Sequence, residues 1–213
     1  MLLNKIKYPH YYSYKGRKIS KKLSLSKRDL INKFYDKFSL DQLIVQYHNS
    51  KYLKKKIHFS KKFNKINIEI GFGDGEFLIK NAISKPDELF FGVEVYVNGV
   101  ASVLSRILDY DIKNIVLSNL NSYYFLKSIP NDTIDNIFII NPDPWIKKRH
   151  HKRRLMTCKV LDLLSKIIKS KQSIYMTTDS ESYLNDTQDL LRNYNNFFSD
   201  FSVRILSNND ELY

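Results

Sequence analysis

Cysteine is nearly absent from this chain, with Cys158 alone among 213 residues. A single thiol cannot close an intrachain disulfide, so a disulfide-stapled secreted domain is excluded and a reducing compartment, the cytoplasm, is expected. Long apolar runs are missing as well. The opening residues, MLLNKIKYPHYYSYKGRK, hold no apolar stretch of signal-peptide length. No run of 18 apolar residues occurs, so no membrane-crossing helix is expected. The third scarcity is of acid in the first third. Residues 1–65 carry 18 Lys and Arg against only Asp29, Asp36 and Asp41, a balance of +15. Residues 66–213 carry 17 basic and 19 acidic residues, a balance of −2, so the net +13 of the chain originates entirely in its first third.

Aromatic residues are interleaved with those cations: Tyr8, Tyr11, Tyr12, Tyr14, Phe34, Tyr35, Tyr47 and Tyr52. Lys and Arg neutralise phosphates without reading sequence, and aromatic rings stack on bases. Residues 1–65 are therefore expected to be a basic, RNA-contacting extension. Residues 1–25 read as a flexible arm, and 26–47 as one or two short helices or extended pieces. A lysine-rich compositional bias is the plainer account of the same charge.

From residue 66 the texture changes. Apolar and β-branched runs predict strands at 66–70, 89–95, 114–118, 134–140, 173–178 and 201–206. Helical patterns fill the intervals at 76–84, 98–109, 121–128, 155–169 and 180–192. The stretch Ile134–Ile140 is nearly all apolar, as a strand covered on both faces must be. Alternating strands and helices predict a doubly wound, mostly parallel α/β sheet over 66–213.

In such sheets ligands lie beyond the carboxyl ends of the strands. The first end carries Glu69, Gly71, Gly73 and Gly75, a spacing unlike the G-x-G-x-x-G of dinucleotide binders. The second ends in Glu94, where a carboxylate can accept from both hydroxyls of a ribose. Glu76, at the start of the next helix, disfavours a pyrophosphate there. Together these favour S-adenosylmethionine over NAD. After the fourth strand comes Asn141-Pro-Asp-Pro-Trp145, where two prolines deny the backbone helix or ladder and present Asp143 rigidly at the expected methyl position. Lys147, Lys148, Arg149, Lys152, Arg153 and Arg154 follow with His150 and His151 and no acid, a candidate phosphate clamp. Two adjacent histidines without Cys or acid partners do not suggest a metal site.

These blocks, Ile68–Gly75, Gly92–Tyr96, Pro142–Arg154 and Thr177–Asp179, resemble the bacterial tRNA (guanine-N7)-methyltransferase family over residues 66–190. The third block is the most specific. The resemblance implies a class I S-adenosylmethionine-dependent methyltransferase (Rossmann-like) fold, acting on a guanine of the tRNA variable loop. It implies cofactor binding by Glu69 and Glu94 and an active-site acid at Asp143. It also implies substrate contacts by Lys147 and Asp179. Two departures stand out. Asn121 occupies the place of an acid near the adenine. The family's T-x-[FY]-E motif and last strand are not found before Tyr213, so the expectation is a fragment, or a fold that another chain completes. Two other readings remain open: a tRNA-binding protein without activity, and an adenine-N6 methyltransferase suggested by the N-P-x-P-W loop.

Overall fold

The computed structural model describes residues 23–49 and 62–194. Residues 1–22, the expected strand at 201–206 and the chain end lie outside them. A five-stranded sheet, in the order β3-β2-β1-β4-β5, forms the centre. Its strands are β1 (Lys65–Ile70), β2 (Glu88–Val93), β3 (Ile115–Ser118), β4 (Ile134–Ile140) and β5 (Ile168–Thr177), and every neighbouring pair is parallel. This is the doubly wound sheet the apolar runs predict. The chain moves outward from β1 to β2 and β3, then returns to lay β4 on the other side of β1. The order reverses between β1 and β4, and a crevice opens where strand order reverses.

The helices are α1 (Leu25–Phe34), α2 (Asp41–Asn49), α3 (Glu76–Ser84), α4 (Val97–Asp109), α5 (Ser122–Ser128), α6 (Cys158–Ile167) and α7 (Glu181–Asn193). They cover both faces of the sheet. Successive strand residues point to opposite sides, so Phe90 packs with α1, α3 and α4 while Phe91 packs with α2, α5, α6 and α7. Helix α4 buries Val100, Val103, Leu104 and Ile107, a spacing of three and four that makes one apolar face. Helix α6 starts three residues later than its apolar pattern suggests. The Thr157 hydroxyl accepts from the Val160 N–H at 3.3 Å and fixes the first turn there. Its other end also moves, because Ile168 already pairs with Ile134 in the sheet. Pairing lapses through Lys171, at φ +63°, and resumes at Ser173 opposite Asn136. Within that irregularity the buried Asp135 accepts from the Ile66 N–H (2.9 Å) and Lys169 (2.7 Å).

Helices α1 and α2 fall in the stretch read as a basic extension, and both are packed on the sheet. Ile31 and Tyr35 are buried on one face and Ile44 on the other, while Ser39 bridges to Leu117 of β3 between them. The segment wraps around the β3 edge. That removes a bare strand edge from solvent.

Ile44 is fully buried. Ile44→Ala should lower the unfolding free energy by about 2–5 kcal/mol, read by urea denaturation. A change under about 0.5 kcal/mol, the size of a surface substitution, would mean that α2 is not part of the cooperative fold.

Candidate active site

Strand β1 delivers the glycine turn to the reversal point. Gly71, Gly73 and Gly75 all have positive φ, of 78°, 53° and 78°. A Cβ on Gly71 or Gly73 would meet nothing within 4 Å, so these two border open space. The Gly71 N–H donates to the Val93 carbonyl (2.8 Å) and the Gly73 N–H to Glu94 Oε2 (2.9 Å). Glu94 Oε1 accepts from the Tyr96 N–H at 2.8 Å. Burial raises the Glu94 carboxyl above the ordinary range; the N–H groups of Tyr96, Gly73 and Val95 pull it back, and the charge of Asp143 adds to the rise.

Glu69, also buried, is placed differently. Its Oε2 has no hydrogen-bond partner among the described residues. Burial, and behind it the charge of Glu94, pushes its proton affinity up to about 8. An orphaned carboxyl oxygen beside an open glycine turn fits a ligand that carries a positive group and approaches the backbone closely.

Asp143 stands on the loop after β4. The loop begins at Asn141 (φ 44°), whose N–H donates to the carbonyl (3.2 Å) and Oγ1 (3.1 Å) of Thr177; Thr177 Oγ1 donates back to Asn141 Oδ1 at 3.0 Å. This draws the ends of β4 and β5 together and brings Asp179 to the same edge. Asp143 is exposed, and its charge reaches both Glu94 and Tyr183. Trp145 is half-buried and left-handed (φ 45°), a costly conformation for a bulky residue. The Arg153 guanidinium lies 5.0 Å over its ring, and His150 meets it edge-on at 5.9 Å. Burial, and then the charges of Arg153, Arg149, Lys147 and Lys152, lower the proton affinity of His150.

A family model described as "Putative methyltransferase" matches residues 63–209. The chain belongs to this family. The bifunctional methyltransferase of Rickettsia typhi is 38% identical over 173 residues, which are 81% of this chain and 32% of that protein. The tRNA (guanine-N(7)-)-methyltransferase of Wolbachia pipientis wMel is 37% identical over 146 residues, 68% of this chain and 65% of that protein. The enzyme of the same name from Buchnera aphidicola subsp. Acyrthosiphon pisum (strain Tuc7) is 40% identical over 136 residues, 62% of this chain and 56% of that protein. The chain thus spans about a third of the rickettsial relative and less than two thirds of the other two.

Within this methyltransferase fold Glu69, Glu94, Asp143 and the glycine turn gather around one reversal point. Asn121 sits at the third strand end, and its side-chain oxygen caps α5 by accepting from the Tyr123 N–H at 3.0 Å. The basic run does not act as one unit. Lys147, Lys148, Arg149 and Lys152 are exposed along a short 3₁₀ turn, Lys148–Arg153. Arg153 is also exposed and is spent partly on Trp145.

Arg154 corrects the expected phosphate clamp, because it is buried. Its Nε donates to the Pro144 carbonyl (2.8 Å), and its other nitrogens to the Ser182 carbonyl and Oγ (3.0 Å each) and to Asp186. The guanidinium also stacks 4.8 Å over Tyr183. It fastens the Asp143 loop to α7 and is not available to a phosphate.

Gly99 was not singled out by its sequence motif. A Cβ there would come within 2.1 Å of the Gly73 carbonyl oxygen, so only glycine lets α4 pack against the turn. A glycine inside a helical pattern, unfavourable by about 1 kcal/mol, was the available signal.

Glu69 makes stability depend on pH with a definite sign. Between pH 4.5 and about 8 the folded protein holds a proton that the unfolded chain has released. Stability therefore falls as pH rises through that window, by up to about 1.4 kcal/mol per unit. Glu69→Gln should melt progressively higher than wild type from pH 5 to 8, with the gap constant above. Parallel melting curves would place Glu69 in the ordinary carboxylate range.

Proposed function

We propose that this chain is an S-adenosylmethionine-dependent RNA methyltransferase of the cytoplasm that modifies N7 of a guanine in the tRNA variable loop. The observation that carries the reading is a meeting at the β1/β4 reversal point. There an orphaned carboxyl oxygen and an open glycine turn adjoin Glu94, which feels the charge of Asp143 on a stiff loop edged by exposed cations. The names of the Wolbachia and Buchnera relatives support the choice of base and of RNA.

S-adenosylmethionine, when bound, supplies a methyl group activated by a sulfonium centre. Glu69 offers its unpartnered oxygen to a cationic group of that donor. Each oxygen of Glu94 already accepts one backbone N–H, and a carboxylate has further lone pairs for ribose hydroxyls. Gly71 and Gly73 keep the wall beside it free of side chains, whereas Gly75, expected to join them, instead makes room for Val103 of α4. Asn121 retains a lone pair on its capping oxygen for an adenine amino group.

Guanine N7 carries its own lone pair and loses no proton on methylation, so the protein need not supply a strong general base. Its task is to hold the ring in line. Asp143 accepts from the guanine N1–H or amino group, fixing the base and offsetting the positive charge that grows on the ring. Lys147, Lys148, Arg149, Lys152 and Arg153 take backbone phosphates, and Asp179 contacts the substrate from the end of β5. Residues 1–22, with seven Lys and Arg and no acid, add phosphate contacts that carry no base information.

Asp143→Ala should abolish methyl transfer to unmodified tRNA while tRNA affinity stays within a few-fold. Turnover near wild type would remove Asp143 from the mechanism, and tRNA binding without any transfer by the wild-type chain would favour a binding protein. The cations are tested separately. Neutralising Lys147 with Lys148, or Arg149 with Lys152, should flatten the salt dependence of log K for tRNA by roughly 1.4–1.8 per pair. An unchanged slope would make the run a solvated face.

A further inference from the structure

A buried polar cluster lies outside every one of the sequence motifs. Asp41, the first residue of α2, is buried, as are Tyr35 and Ser118. Asp41 Oδ1 accepts from the Ser118 hydroxyl at 2.5 Å, and Oδ2 accepts from the Tyr35 hydroxyl (2.7 Å) and the Asn119 N–H (3.0 Å). The same Asn119 N–H lies 2.6 Å from the Tyr35 oxygen. Ser118 Oγ in turn accepts from the Leu120 N–H at 3.2 Å. The whole turn Ser118-Asn119-Leu120 at the end of β3 is thus held by a carboxylate from the N-terminal segment.

That turn touches the donor site at two points. Asn119 Nδ2 donates to the backbone carbonyl of Glu94 at 2.7 Å, and the Glu94 N–H donates to the Ser118 carbonyl at 2.9 Å. Asn121 caps α5 two residues further on. We infer that Asp41 is a positioning residue for the methyl-donor pocket, setting Glu94 and Asn121 through Ser118 and Asn119 without touching the donor. The inference rests on the cofactor reading above. Helix packing alone does not require this device. Ile44 and Ile31 already bury the two helices, whereas an apolar residue at position 41 would strand the Ser118 and Tyr35 hydroxyls and the Asn119 N–H without this acceptor. A carboxylate suits this place because three donors converge on it, two from the turn and one from Tyr35 just past the end of α1.

The test is calorimetric affinity for S-adenosylhomocysteine, measured well below the melting temperature on the full chain, with methyl-transfer kinetics alongside. Asp41→Ala should weaken binding at least about tenfold and raise KM for the donor, with kcat at saturating donor nearly unchanged. Asp41→Asn keeps an oxygen for the Asn119 N–H and presents an N–H to Ser118 Oγ, so it should stay within about threefold of wild type. Ile44→Ala, which loosens the same helix without touching the cluster, should lower the melting temperature and leave the binding constant alone.

If Asp41→Ala does not fold, Ser118→Ala decides. It cuts the same link from the sheet side and should weaken binding by about three- to tenfold. An unchanged constant for Asp41→Ala, or for Ser118→Ala where the first variant does not fold, would overturn the inference alone. So would an equal loss in Ile44→Ala. Wild-type protein that binds no S-adenosylhomocysteine would overturn the cofactor reading, and the inference with it.

Discussion

Four hydrogen bonds converge on Glu94, and the carboxyl edge of the sheet is organised by them. Its side chain takes the N–H groups of Gly73 and Tyr96, its carbonyl takes Asn119 Nδ2, and its N–H goes to Ser118. Through one residue the glycine turn after β1, the start of α4 and the turn after β3 are held in mutual register. A buried carboxylate is tolerated because backbone donors compensate for the lost water. Glu69 has no such compensation on Oε2 and holds its proton instead. Two neighbouring carboxyl groups thus have opposite conditions, one satisfied by the protein and one left for something else.

The loop carrying Asp143 depends on a different device. Proline on either side makes the backbone stiff, but stiffness does not aim it. Aim comes from Arg154, which grips the Pro144 carbonyl and anchors it to Ser182 and Asp186 on α7, and from Thr177, which closes on Asn141. The left-handed Trp145 is accommodated within this frame, with Arg153 on its ring. Cations close together in sequence therefore serve unlike ends. Arg154 is a structural fastener, Arg153 braces an aromatic ring, and the others remain at the surface.

The N-terminal helices show how charge can mislead about packing. Residues 25–49 belong to the most basic third of the chain, yet Ile31, Tyr35 and Ile44 are core residues on the two faces of the sheet. Residues 25–49 themselves hold four Lys and Arg against three Asp, so the excess lies to either side of the helices, and a few buried residues determine their placement. An edge strand as short as β3 benefits from this cover.

Element identity was legible from apolar pattern, because strands buried on both faces and helices buried on one leave different periods. Helix α3 and strand β4 fall at the bounds their patterns suggest, and the places of Glu69, Glu94 and Asp143 at strand ends follow from the same pattern. Boundaries that depend on a cap or on a neighbour's register, such as the start of α6 and the long β5, were not. The partners of Arg154, Asn119 and Asp41 were not readable either, because they lie 28, 25 and 77 residues away along the chain. Local sequence determines which backbone a segment prefers and which reactive groups it carries. Which of those groups is spent inside the protein and which is left for a ligand is decided only by burial and long-range hydrogen bonding, since the cost of an unpaired polar group exists only once water has been excluded from it.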